Sequence, residues 1–218
     1  MDGSVDGPYR SGDLKQLRRA IDSITPRHYN HHGPGVTFFD LSHFYANGKL
    51  LNDFVDWSVR SLGDVGRTIK KVGGPEARAW PLAGALARDL SMRYDNEVGV
   101  VLIRKPGKLP GECDRENYET EYSKGTLEIS LGTIEEGDEV LEIDDLVATG
   151  GTEIGTGNLI KRRGGIIVAS ICPIELAFLG GRQRFERAHP NVAFHTLLQY
   201  QQGTFHQDVG CYDMVLKE

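Results

Sequence analysis

The stretch Val140-Leu141-Glu142-Ile143-Asp144-Asp145-Leu146-Val147-Ala148-Thr149-Gly150-Gly151-Thr152 joins an extended apolar run, a carboxylate pair and a small-residue loop within thirteen positions. The run predicts a buried strand and the segment after it predicts the start of a helix. Ala148, Gly150 and Gly151 let the backbone approach a ligand closely, and the free N–H groups of a helix start attract a phosphate. Thr149 and Thr152 add hydroxyl donors. Asp144 and Asp145 repel an anion, yet they can accept hydrogen bonds from a vicinal diol. A ribose 5-phosphate carries both groups. A lone Asp-Asp or Gly-Gly would mark no more than a turn; the combination points to a sugar-phosphate site at a strand–loop–helix junction.

On either side of that unit, strand and helix patterns alternate. Leu14, Leu17, Ala20, Ile21 and Ile24 have helical spacing over residues 13–24, with Asp13 as a cap and Pro26 as a stop. Residues 36–41 predict a short strand, 51–62 a helix, 69–72 a strand, 79–90 a helix and 98–103 a buried strand. Residues 104–124 mix basic, acidic, Pro and Gly residues without periodicity, which predicts a long loop of the kind that serves as a lid or binding segment. Strands follow at 126–131 and 139–143, then a helix at 152–163 closed by Gly164, then strands at 166–172 and 192–198. This order implies an α/β fold with a mostly parallel sheet flanked by helices, binding its ligand beyond the carboxyl ends of the strands. Glu142 interrupts a strand expected to be buried on both faces, so it calls for a cationic partner or a solvent-accessible edge.

The 218 residues, 39% hydrophobic and 26% charged, are enough for one packed domain, 1–218, carrying a C-terminal extension at 201–218. A net charge of −6 argues against a nucleic-acid or membrane-surface binder, because phosphate-backbone affinity needs clustered Lys and Arg. Cys113, Cys172 and Cys211 form no CxxC pair, which favours neither a disulfide framework nor a zinc site and suits a reducing compartment. His28, His31 and His32 read as a solvated linker. The polar first residues predict no secretory signal, and the most apolar region, 165–178, is interrupted by Pro173 and Glu175. A soluble, cytoplasmic protein is expected.

The Asp-Asp and Ala-Thr-Gly-Gly-Thr combination resembles the signature of the type I phosphoribosyltransferases, which use 5-phosphoribosyl-1-diphosphate (PRPP). Residues 101–111, ValLeuIleArgLysProGlyLysLeuProGly, with Tyr118-Glu119-Thr120-Glu121-Tyr122 and Leu197-Leu198-Gln199-Tyr200, are similar to the adenine-specific members. The resemblance implies the type I fold, with a small base-binding hood and a flexible catalytic loop at 104–124. It implies the substrates adenine and PRPP, the products AMP and diphosphate, Mg2+ brought by PRPP near Asp144 and Asp145, and a homodimer.

Residue by residue, it assigns the ribose and its phosphate to Asp144, Asp145, Ala148, Thr149, Gly150, Gly151 and Thr152. Diphosphate falls to Glu76, Ala77, Arg78, Arg104 and Lys108. On chemical grounds Arg104, Lys105 and Lys108 supply cations just after a strand, where a leaving diphosphate needs neutralising. Glu76-Ala77-Arg78 matches the family's diphosphate loop, with Ala79 where Gly is usual. Glu121 corresponds to the catalytic carboxyl and Tyr122 to the loop tyrosine, with Arg104 the third catalytic residue. Val36, Thr37, Phe39 and Leu146 fall at the adenine site, with Phe39 where a basic residue is usual; Phe38 reads as core. Phe39 keeps open another purine base, and the fold alone keeps open a non-catalytic PRPP- or nucleotide-binding regulator.

Overall fold

In the computed structural model, which describes residues 11–31, 36–119, 124–206 and 211–217, helical and extended patterns take turns along the chain. The order is α1 (Ser11–Ser23), β1 (Arg27–Tyr29), β2 (Thr37–Phe39), α2 (Ser42–Ala46), α3 (Gly48–Leu62), β3 (Lys71–Pro75), α4 (Ala79–Tyr94), β4 (Gly99–Arg104), β5 (Cys113–Glu119) and β6 (Lys124–Ser130). It continues with β7 (Glu139–Ile143), β8 (Leu146–Val147), α5 (Gly151–Arg162), β9 (Ile166–Leu176), α6 (Gly181–Ala188), β10 (Ala193–His206) and β11 (Cys211–Leu216). The large sheet runs β11-β10-β9-β7-β3-β4-β6-β5, with β8 added to β9. Its five central strands are mutually parallel. β11, β6 and β5 join antiparallel.

Strand alternation sends neighbouring side chains to opposite faces. Leu141 and Ile143 of β7 therefore pack with Leu82, Leu86 and Leu90 of α4, while Val140 packs with Leu159 and Ile160 of α5. Each such fully buried aliphatic contributes about 1.5–3 kcal/mol. β3 crosses through α4 to β4 on one side, and β7 crosses through α5 to β9 on the other. The strand order thus reverses between β3 and β7, and in such a sheet the crevice beyond their carboxyl ends is the ligand position.

The pairing of β1 and β2 builds a small hood against the end of β10. Phe39 and Tyr200 stack at 4.8 Å, Arg27 lies 5.0 Å over the Tyr200 ring, and the Tyr200 hydroxyl donates to Asp22 of α1 at 2.6 Å. Asp22 also pairs with Arg27. Among the described residues no helix is long and apolar enough to cross a membrane.

Several expectations need correction. Residues 104–124 are not a continuous irregular loop, because β5 pairs with β6 along its whole length. Its strand pattern is hidden because both faces make polar contacts. Arg115 pairs with Glu128 at 2.6 Å on one face, while Asp114 and Glu116 take Arg162 of α5 at 2.8 and 2.6 Å on the other. β3 continues through Gly73-Gly74-Pro75 instead of stopping at Val72; a side chain on Gly74 would come within 2.3 Å of the Ile143 carbonyl, so only glycine lets β7 approach there. The extension at 201–218 is no appendage to the domain: it adds the edge strand β11 to the sheet.

Glu142 has neither a cationic partner at contact distance nor an edge position. It is 1% exposed, and among the described residues neither carboxyl oxygen makes a well-formed hydrogen bond. Burial first, and then the nearby Glu153, push its carboxyl well up; the Ser170 hydroxyl beside it and the more remote Lys161 oppose this without prevailing.

Candidate active site

Two loops meet at the switch point. The first, Glu76-Ala77-Arg78, leaves β3 and enters α4, and its Glu76–Ala77 peptide is cis. The second leaves β7 at Asp144, passes through β8 and enters α5 at Gly151. An ion pair of 2.7 Å between Arg78 Nε and Asp145 Oδ2 joins them. Arg78 Nη1 also donates to the Phe39 carbonyl at 3.2 Å, and its guanidinium lies 4.9 Å over the Phe38 ring. The Tyr45 hydroxyl, which no motif marked, donates to the Arg78 carbonyl at 2.6 Å. One arginine therefore touches both loops and the hood.

Asp144 and Asp145 are nearly buried side by side, and the Asp145 N–H donates to Asp144 Oδ1 at 2.7 Å. Burial pushes both carboxyls up. Asp145 and Glu153 raise Asp144 further, whereas Arg78 draws Asp145 back. Glu153, in the first turn of α5, is pushed up to about 7, chiefly by burial and also by Asp145. Such a site gains from any ligand that donates hydrogen bonds to the carboxylates or brings a cation, since either favours the charged form.

The loop from Ala148 to Thr152 ends at the start of α5, where the first N–H groups have no intrahelical acceptor. Gly150 adopts φ of +82°, a region open to glycine at no steric cost. Thr149 is buried and Thr152 half-buried, with Tyr118 of β5 hydrogen bonded to Thr152. Tyr118 also fits a notch in α5, where a side chain on Gly155 would come within 3.0 Å of its Cβ. The arm formed by β5 and β6 thus sits on the same helix start as the loop from Ala148 to Thr152.

On the other side of Arg78, Glu76 Oε2 takes Arg104 Nε at 2.6 Å and Glu76 Oε1 accepts from the Lys105 N–H at 3.3 Å. Burial would raise the Glu76 carboxyl, but these bonds and the charges of Arg104 and Lys108 win and hold it below its usual value. Arg104 donates to the Lys108 carbonyl at 2.9 Å and lies 5.2 Å over Trp80. Arg104, Lys108 and Arg78 therefore flank one small acidic loop, a geometry suited to an anion once Glu76 gives up its arginine.

The hood places Thr37 buried, with its hydroxyl unpartnered. The Phe39 side chain is core, 1% exposed, so only its backbone faces Arg78. Phe38, expected in the core, is half-buried over Arg78 instead, because β2 alternation gives Phe39 the inward position. Val36, just before β2, and Leu146, in β8, are half-buried. Glu121 and Tyr122 lie outside the described residues, just beyond the end of β5.

The family model of the phosphoribosyl transferase domain matches residues 41–213. The chain is 41% identical over 174 residues to the adenine phosphoribosyltransferase of Maricaulis maris, covering 80% of this chain and 91% of that protein. Among solved structures, the adenine phosphoribosyltransferase of Rhodothermus marinus superposes with a TM-score of 0.74 at 33% identity, covering 85% of this chain and 99% of that one. That of Saccharomyces cerevisiae, complexed with an imino-altritol bisphosphate and adenine, gives 0.74 at 29% identity, covering 84% and 99%.

Proposed function

This chain belongs to the phosphoribosyl transferase domain family, and we propose that it transfers the 5-phosphoribosyl group of PRPP to adenine, giving AMP and diphosphate in purine salvage. The observation that carries this reading is the Arg78–Asp145 pair, which draws together two anion-suited loops and a hood at one switch point. A sugar with an anionic group at each end suits a crevice with an anion-suited loop on either side.

Each residue then has a task. The loop from Ala148 to Thr152 takes the 5-phosphate, and Asp144 and Asp145 accept from the ribose hydroxyls. Arg78, Arg104 and Lys108 receive the diphosphate, Arg104 by exchanging Glu76 for the ligand. Thr37 and the backbone of Val36 and Phe39 read the adenine edge, with Leu146 against the ring. As the adenine nitrogen attacks the anomeric carbon, the bond to diphosphate breaks, and Glu121 accepts the proton that adenine loses. The resemblance gives Tyr122 the loop-tyrosine role, and exclusion of water from the site would protect PRPP from hydrolysis.

The residues present fit magnesium carried by its ligand. Asp144 and Asp145 offer hard oxygen donors at the crevice, and among the described residues no group of three or more His, Cys, Asp or Glu could cage an ion. Either Asp would hold it together with PRPP oxygens, and it would neutralise charge on the departing diphosphate. A homodimer, as the family resemblance implies, acting in the cytoplasm, as the cysteine usage and polar N-terminus suggest, completes the reading.

Incubation with Mg2+, PRPP and each purine base in turn tests this. AMP from adenine alone, sharply reduced in Glu121→Ala, is the expected result; turnover of guanine, hypoxanthine or xanthine would reassign the base, and PRPP binding with no turnover would favour a regulator. Asp144→Asn and Asp145→Asn are each expected to raise KM for PRPP about 10- to 100-fold, the loss of one charge-assisted hydrogen bond. Unchanged initial-rate kinetics in both, with circular dichroism showing intact folds, would remove the carboxylates from the ribose site.

A further inference from the structure

Behind the phosphate loop lies a polar network that the reaction as described does not use. Glu175, near the end of β9, is 2% exposed and is the register partner of Val147, one residue before the loop. Arg182, in the first turn of α6, holds it with Nε at 3.0 Å from Oε1 and Nη2 at 2.6 Å from Oε2. Thr196 Oγ1 and Gln199 Nε2 of β10 donate to the same Oε2 at 2.8 and 2.9 Å. Arg182 also donates to Thr196 Oγ1 at 2.8 Å and to the Phe194 carbonyl, and stacks 4.9 Å over the Phe194 ring. Burial alone would raise the Glu175 carboxyl, but Arg182, Thr196 and Gln199 hold it below its usual value.

The network fixes the start of α6, and the start of α6 touches the loop. A side chain on Gly150 would come within 2.6 Å of the Gly181 carbonyl oxygen. Conversely, a side chain on Gly181 would come within 2.4 Å of the Ala148 carbonyl oxygen and 2.8 Å of the Gly150 nitrogen. Two glycine backbones are therefore in contact with no slack, so a shift of α6 is transmitted to the loop. Anion binding through several N–H groups depends on their mutual orientation, and a misplacement of about 1 Å can cost two orders of magnitude.

We propose that Arg182 and Glu175 are positioning residues which hold Gly181 against Gly150 and so set the affinity of the loop for the 5-phosphate. The proposal rests on the phosphoribosyl-transfer reading above. It assigns the pair no contact with substrate.

The test is initial-rate kinetics of Arg182→Lys, Arg182→Gln, Glu175→Gln and Gly181→Ala with PRPP and adenine varied separately. Calorimetric binding of ribose 5-phosphate and Tm are measured alongside. Arg182→Gln, Glu175→Gln and Gly181→Ala are expected to raise KM for PRPP about 10-fold or more and to weaken ribose 5-phosphate in parallel, with KM for adenine within about twofold. Arg182→Lys, which keeps the charge without the planar fork, should recover part of the loss. If a charge variant fails to fold, Gly181→Ala and Thr196→Val carry the same comparison. Folded variants with lowered Tm but unchanged KM for PRPP and unchanged ribose 5-phosphate affinity would overturn the proposal, assigning the network to stability alone. A wild-type chain that binds ribose 5-phosphate but turns over no PRPP would overturn the parent reading; weakened binding in the variants would still support the positioning role.

Discussion

Arg78→Ala is expected to lower kcat/KM for PRPP by about 10²- to 10³-fold, or about 3–4 kcal/mol of transition-state stabilisation. Arg78 joins the Asp pair to the hood: it lies 2.7 Å from Asp145, donates to the Phe39 carbonyl at 3.2 Å and stacks on Phe38. Its side chain is 41% exposed, so the loss should fall on kinetics far more than on Tm. Arg78→Lys keeps the charge but cannot reach Asp145 and Phe39 with one planar fork, and should recover only part of the activity. The pH profile provides a second check. Arg78 draws the Asp145 carboxyl down against burial, so without it Asp145 keeps its proton to higher pH and the acid limb of the profile should move upward. Steady-state rates within about threefold of wild type would remove Arg78 from the site.

Glu142→Met is expected to stabilise the protein by about 1–3 kcal/mol, raising Tm by several degrees, because it replaces a buried carboxyl that has no cation at contact distance with an apolar chain of similar size. The gain should depend on pH, and its sign follows from proton binding. Burial and Glu153 raise the native pKa of Glu142 above its unfolded value of about 4.3. Below that value both states hold the proton. As pH rises toward the native pKa, the unfolded chain releases its proton while the native chain retains it, so wild-type stability falls. Glu153, pushed up to about 7, adds a slope of the same sign, so the difference between wild type and Glu142→Met is the quantity to follow. Denaturant melts at roughly one-unit pH steps upward from the unfolded carboxylate value of about 4.3 should show the advantage of the variant growing with pH. A flat difference would mean that Glu142 finds a partner in solution.

Much of the site was readable along the chain because its parts are local. Asp144, Asp145 and Ala148 to Thr152 lie in one strand–loop–helix unit, where residue type and spacing carry the chemistry. Glu76, Ala77 and Arg78 form a second such unit. Tyr45 and Tyr118 carry no local signal, since each acts through a partner distant in sequence; Tyr45 meets Arg78 across 33 positions, and Arg182 and Glu175, only seven positions apart, are joined by the turn from β9 into α6, which no motif marks. α6 went unseen because its one buried apolar side chain, Phe185, leaves no amphipathic stripe to detect. β5 was hidden for a related reason, its alternation being one of salt-bridge partners instead of apolar and polar residues.

The amino-acid sequence by itself determined the α/β class, the parallel order of strands and helices, and the strand–loop–helix unit that carries the proposed phosphate loop. These follow from hydrophobic periodicity and short-range backbone preferences, which act within a few residues. Only the tertiary structure decided that Arg78 bridges the two loops, that Phe39 turns inward while Phe38 faces Arg78, that Glu142 is buried without a counter-charge, and that Gly181 abuts Gly150. Those outcomes depend on which strands become neighbours and on the face each side chain then occupies. They are fixed by close packing between segments far apart in the chain, which no local pattern encodes.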